Sequence, residues 1–176
     1  MEKIPRLRGC PKQLCYPNLP QVTLYNSQQD FPISIPRMRK VVSFLLDELN
    51  ITTDGIIFHF VSKKKIASLH KTFFNDSSPT DCITFPMDHH MQKLTAKESC
   101  HLLGEAFICP KIAMEYSQCR KVDPLVELYR YVIHCLLHLI DYDDAQAHER
   151  LRMRRKERNC LKKLNDAGYL KVQLGL

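Results

Sequence analysis

An apolar run opened by Asp123 and Pro124 constrains this chain more than any other feature. Asp is a preferred helix N-cap and Pro suits the first helical position, so the pair marks a helix start. Leu125, Leu128, Tyr129, Val132 and Ile133 continue it at helical spacing into His134 and His138. A helix this apolar has to be mostly buried, so the fold must close around it. His134 and His138 are four residues apart. They fall on one face of that helix, with Cβ atoms about 5–6 Å apart, and both rings can converge on one point. Asp141 offers a break, because Asp tolerates the left-handed backbone region better than most residues. After the break the chain can double back and present Asp143 or Asp144.

Two neutral imidazoles and one carboxylate, with a fourth position left to water, make the ligand set of a catalytic zinc site. A histidine pair at this spacing also occurs as a packed or surface pair, so the motif alone leaves both readings open. Cys135 stands where a metalloprotease of the H-E-x-x-H kind carries its glutamate base, which counts against a metalloprotease or a similar small hydrolase.

The stretch His134-Cys-Leu-Leu-His138-Leu-Ile-Asp-Tyr-Asp-Asp144 resembles the H-G-x-L-H-L-x-G-Y-D-H signature of the YbeY family, metal-dependent endoribonucleases of ribosomal RNA maturation. Two more pieces match in order. Pro79-Thr-Asp-Cys-Ile-Thr-Phe-Pro86 resembles that family's P-T-D-V-L-S-F-P, and Leu103-Gly-Glu-Ala-Phe-Ile108 resembles its L-G-D-I-x-I. The likeness covers roughly residues 22–165, and three ordered motifs are far more specific than one. The departures are informative too. Asp144 stands at the family's third metal ligand, a histidine. Cys135 and Asp141 replace its two signature glycines, and Phe74 falls where it carries an arginine.

The resemblance implies an α+β, zincin-like single domain with a small, mostly mixed four-stranded sheet packed with helices. Residues 1–20 would be a flexible basic extension and residues 21–176 the metal-hydrolase domain. It implies one Zn2+ ion held by His134, His138 and Asp144; Asp143, adjacent in the chain, and His148, one helical turn further on, stay open as substitutes for the third ligand. No catalytic residue is assigned beyond the metal-bound water. The implied work is single-strand-specific cleavage of ribosomal RNA, with the small ribosomal subunit or its precursors as partner. An Asp in place of a neutral His lowers the net charge of the site from about +2 to about +1, so the bound water should be less acidic and hydrolysis weaker. A non-catalytic ribosome-assembly or RNA-binding factor on the same fold is the alternative, and Phe74, Cys135 and Asp144 motivate it.

Composition agrees with a basic globular domain. At 176 residues the chain has the length of one domain. Its net charge of +7 suits an anionic partner. The 8 cysteines include no C-x-x-C pair and several sit in apolar runs, which points to a reduced, cytoplasmic protein with buried thiols. No signal-peptide pattern and no apolar run long enough for a membrane span is read, so no membrane partner is expected.

The remaining elements follow from periodicity. Val22–Asn26, Ile56–Val61, Asp81–Phe85 and Leu102–Cys109 read as strands. Ile35, Met38, Val42, Leu45 and Leu49 make one helical stripe, and Ser62 opens a second helix with Ile66, Leu69 and Phe73 on one face. Pro110 suits the start of a short helix. His59 is expected as a satisfied core or face histidine, and Glu105 should meet water, a partner or the active site. His89, His90 and His101 read as loop and surface residues. A last helix is expected after Asp144. Residues 150–163 hold Arg or Lys at 8 positions and one acid, Glu157. Most such runs are solvated faces, but Arg150, Arg154, Arg155 and Arg158 begin within two turns of the proposed metal and are candidates to contact RNA.

Overall fold

A computed structural model of the chain describes residues 21–87 and 101–170. The proposed extension 1–20, the last six residues and the His89 and His90 positions lie outside the described residues. The elements run β1 (Val22–Asn26), α1 (Ile35–Glu48), β2 (Gly55–Phe60), α2 (Lys63–Phe74), β3 (Cys82–Pro86), β4 (Leu102–Ile108), α3 (Pro110–Arg120), α4 (Pro124–Leu139) and α5 (Ala147–Asp166). They form the expected α+β domain around a mixed four-stranded sheet of order β1-β2-β4-β3. β1, β2 and β4 are parallel, and β3 pairs antiparallel with β4.

Side chains alternate across a strand, so each strand divides its residues between two faces. Ile56, Phe58, Phe60, Ala106 and Ile108 enter the main core with α1, α4 and α5. On the other face Ile83 joins Val61, Ile66 and Cys109 in a smaller cluster, with Leu69, Phe74, Phe85 and Phe107 packed against it. The buried face of α1 is broader than the single stripe predicts, because Val41 and Leu46 join Met38, Val42 and Leu45.

α4 is the central pillar. Its N-terminus forms as expected: Asp123 accepts the Leu125 N–H at 2.7 Å, with Pro124 in the first turn. Ten of its residues, from Glu127 to Leu139, are buried, so both ends of the helix are fixed by packing rather than by propensity. Asp141 ends it with φ 66°. The Tyr142 N–H reaches back to the Leu137 carbonyl at 3.0 Å and the Asp141 N–H to the His138 carbonyl at 3.2 Å. Those two bonds are the Schellman pattern, which satisfies carbonyls left open at a helix end. This turn redirects the chain toward α5 and fixes where Tyr142 to Asp144 come to lie.

His101 differs from the surface reading. It is half-buried beside the start of β4, where its N–H donates to Asp54 at 2.7 Å and its carbonyl accepts from Asp54, Gly55 and Thr53. It pins the entry to β4. The described cysteines, Cys82, Cys109, Cys119, Cys135 and Cys160, are all free thiols. No helix of the described residues is long and apolar enough to cross a membrane.

Candidate metal centre

His134 and His138 lie on consecutive turns of α4 with their rings edge to face, centroids 4.5 Å apart. Their Nε2 atoms point at each other across 3.0 Å. The other nitrogen of each ring is already engaged. His134 Nδ1 lies 2.7 Å from Glu157 Oε1, and His138 Nδ1 lies 3.0 Å from the Tyr142 carbonyl oxygen. An ionised carboxylate and a carbonyl only accept, so both protons belong on Nδ1. Both Nε2 lone pairs then face the same small space. Two lone pairs at this separation repel unless a proton or a cation lies between them.

Asp144 completes the group: one ligand atom each from His134, His138 and Asp144 lies within 4.8 Å of the others. Nitrogens bound at about 2.0–2.1 Å to a tetrahedral ion are about 3.3 Å apart, close to the separation seen. The donor set, two imidazoles and one carboxylate, fits zinc and related divalent ions. The residues present therefore fit a cation.

Burial pushes the His134 imidazole toward the neutral form, but the bond to Glu157 and the charges of Glu157, Asp81 and Asp144 together hold the pKa above the ordinary value. His138 goes the other way: burial lowers it, and the charge of His134 lowers it further. With the two rings shifted in opposite directions, any further proton on the Nε2 side belongs to the pair rather than to each ring separately. A divalent cation would take the same place with neither Nε2 protonated.

The two substitutes for Asp144 sit differently. Asp143 Oδ1 accepts the N–H groups of Asp144 at 2.7 Å and Ala145 at 3.2 Å, and these bonds hold its carboxyl below the usual carboxylate range. It builds the turn that presents Asp144. His148 is exposed in the first turn of α5 and stands outside the three-residue group.

Of the predicted RNA contacts, Arg150, Arg154, Arg155 and Arg158 are all exposed on α5. Arg155 lines an open groove with Tyr142, Arg152, Lys156 and Asn159. Arg150 turns back to the Ala145 carbonyl at 3.4 Å. Phe74 packs in the smaller hydrophobic cluster, so no polar group stands at the place of the family's arginine.

Glu157 is the residue that sequence reasoning missed. It appears there only as the lone acid in a basic run, yet it is 8% exposed. The signal was present: Met153, Glu157, Cys160, Leu161 and Leu164 recur at helical spacing and form the buried face of α5. An acid inside an apolar stripe needs a partner, and His134 supplies it. The Pro79–Pro86 motif also converges here. The Asp81 charge acts on His134, and the neighbouring Cys135 thiol, with burial, pushes up the thiol of Cys82 at the start of β3. Both cysteines stand at departures from the family motifs, so the two replacements are neighbours in space.

The chain matches the family model described as Endoribonuclease YbeY over residues 23–165. It is 40% identical over 144 residues to the Endoribonuclease YbeY of Chlamydia caviae, covering 80% of this chain and 89% of that one. The Endoribonuclease YbeY of Protochlamydia amoebophila is 36% identical over 132 residues, covering 75% of this chain and 85% of the other. Among solved structures, the solution structure of TM1509 from Thermotoga maritima aligns with a TM-score of 0.56 at 18% identity, over 88% of this chain and 99% of that one. At that identity it speaks to the fold alone, and it agrees with the α+β domain described above. By the family model and by these relatives, the chain belongs to the Endoribonuclease YbeY family.

Proposed function

We propose that this protein is a metal-dependent, single-strand-specific endoribonuclease that acts in the cytoplasm on ribosomal RNA, within the small ribosomal subunit or its precursors. His134, His138 and Asp144 would hold one zinc ion. The observation that carries this reading is the pair of Nε2 atoms facing each other at 3.0 Å, with both Nδ1 atoms already committed and an acid alongside. A zinc ion held there supplies Lewis-acid polarisation of a phosphoryl oxygen and acidifies a water.

The chain's own residues prepare the site. Glu157 keeps the proton of His134 on Nδ1, and the Tyr142 carbonyl does the same for His138, so both Nε2 atoms stay free to ligate. Asp143 fixes the turn, and Asp144 brings a negative charge where a neutral histidine would bring none. The free thiols of the described residues suit a reducing compartment. The net charge of +7 suits a polyanionic substrate.

The test is cleavage of an unstructured ribosomal RNA fragment by the purified chain, with and without chelator. Cleavage that chelator abolishes and zinc restores, with a duplex of the same sequence left intact, is the expected result. Asp144→His should raise the rate at neutral pH, since it restores the higher site charge. A second reading, a non-catalytic RNA-binding or ribosome-assembly factor, is favoured by the departures at Phe74, Cys135 and Asp144. RNA binding that survives chelation, with no cleavage at any metal concentration, would establish that reading and remove the first.

A further inference from the structure

The groove on α5 is a feature that the three-residue centre does not use. Arg152, Arg155, Lys156 and Asn159 recur at i, i+3, i+4 and i+7, so they share one face of the helix. With Tyr142 they line an open surface groove of about 420 Å³. The Arg152 guanidinium lies over the Tyr142 ring, 4.7 Å from its centroid. That contact restrains a long side chain and keeps its charge. Arg152 and Arg155 are exposed and Lys156 is half-buried. Among the described residues no ion pair engages any of the three. Tyr142 forms one wall of the groove, and its carbonyl receives the Nδ1 proton of His138. The groove is therefore one residue removed from the candidate metal ligands.

We infer that this groove is a nucleotide subsite for single-stranded RNA next to the point of cleavage, an assignment that rests on the proposed nuclease reading. A base stacks on the outer face of the Arg152 guanidinium, which Tyr142 backs from below. Planar cations backed in this way stack on bases of any sequence. Arg155 and Lys156 take the flanking phosphates. Asn159 offers an amide that donates to and accepts from a base edge. Three cations alone would suit any polyanion; the aromatic-backed guanidinium and the amide are what single out a nucleotide. Arg154 and Arg158 lie about 160° and about 120° round the helix from Arg152 and do not line the groove.

The experiment measures binding of a short unstructured oligoribonucleotide, labelled with a fluorophore, to the full chain in chelator, so that no cleavage occurs. Inorganic polyphosphate is the second probe. Arg152→Ala should weaken RNA binding by about tenfold and polyphosphate binding by much less, because the stacking plane it removes serves only a base while Arg155 and Lys156 still hold phosphates. Arg155→Ala with Lys156→Ala should weaken both, and should flatten the log–log salt dependence for RNA by about 1.4, at about 0.7 per lost phosphate contact. Arg154→Ala with Arg158→Ala is the control on another face, and circular dichroism verifies that every variant is folded. The assignment is overturned if Arg152→Ala binds RNA as tightly as the native chain, or if the control pair loses as much as the groove pair. Cleavage is assayed separately with zinc. Groove variants that lose RNA binding while the native chain cleaves nothing would remove the nuclease and leave an RNA-binding groove. A native chain that cleaves, with groove variants unchanged in binding, would remove the groove and leave the nuclease.

Discussion

Glu157 carries more of the candidate centre than any residue other than the ligands themselves. Its carboxylate fixes the tautomer and the ring angle of His134 through a single bond of 2.7 Å. Removing a partner of this kind costs about 10–100-fold in metal affinity. Glu157→Ala should therefore weaken zinc binding by that factor in a competition titration against a chromophoric chelator. Glu157→Gln, whose amide oxygen can still accept, should lose less. Equal affinity in all three proteins would mean that His134 is oriented by something else. A second residue, His59, ties the opposite sheet face to pH. It stacks between Tyr25 and Phe107, and its Nε2 is buried 3.8 Å from Glu105, a charge contact too long for a hydrogen bond. Burial holds its pKa below the ordinary 6.5, with Glu105 opposing. The unfolded chain therefore takes up this proton at higher pH than the folded one. The stability that neutral His59 provides is fully present above the ordinary value and is lost as pH falls through the folded one. Thermal melts at pH 7.5 and pH 5 should show a smaller acid-side loss in His59→Phe than in the native chain. Helical spacing paired His134 with His138, while Asp144 was preferred to its neighbour Asp143 only through the resemblance to the family signature. Neither led to Glu157, because the acid is 23 residues beyond His134 and looks like one charge among many until α5 is packed.

At the scale of elements, α4 was legible almost to the residue. Its cap, its apolar face and its stop are all written locally, in Asp123, Pro124 and Asp141. The four strands were legible too, from β-branched and aromatic density, but their order was not. Placing β4 between β2 and β3 depends on pairing across long sequence separations, which no local pattern encodes. Gly104 shows what that pairing demands. It sits on β4 with φ +154°, and a Cβ there would lie 2.5 Å from the Phe85 carbonyl oxygen and 2.8 Å from a Leu139 methyl. The glycine lets the β3–β4 pair pack directly against the last turn of α4, the turn that carries His138. Gly104→Ala must push β3 or α4 away. Overpacking of this kind costs about 1–3 kcal/mol, which in a domain of this size should lower the melting temperature by roughly 2–12 °C. It should also loosen the metal site from a distance. A variant as stable as the native chain would show that the sheet yields here without strain.

For the molecule as a whole, the sheet and α5 grip α4 from different sides, and the candidate centre lies where they meet. The histidines come from α4, their orienting carboxylate from α5 and the third ligand from the turn between them. Asp81 and Cys82 bring in the edge of the sheet. Nothing in that arrangement is separable, so a cation bound there should stabilise the entire domain by mass action. The central claim is that three particular side chains make one cation site, and metal content measures it directly. Elemental analysis of the purified native chain, loaded with zinc and then desalted, should find about one equivalent per chain, as a single three-ligand site with one position open to water requires. Asp144→Ala should fall well below that value, while Asp143→Asn, whose amide oxygen can still accept the two turn N–H groups, and His148→Ala keep it. A native chain that retains no metal, or an Asp144→Ala variant that retains a full equivalent, would contradict the account.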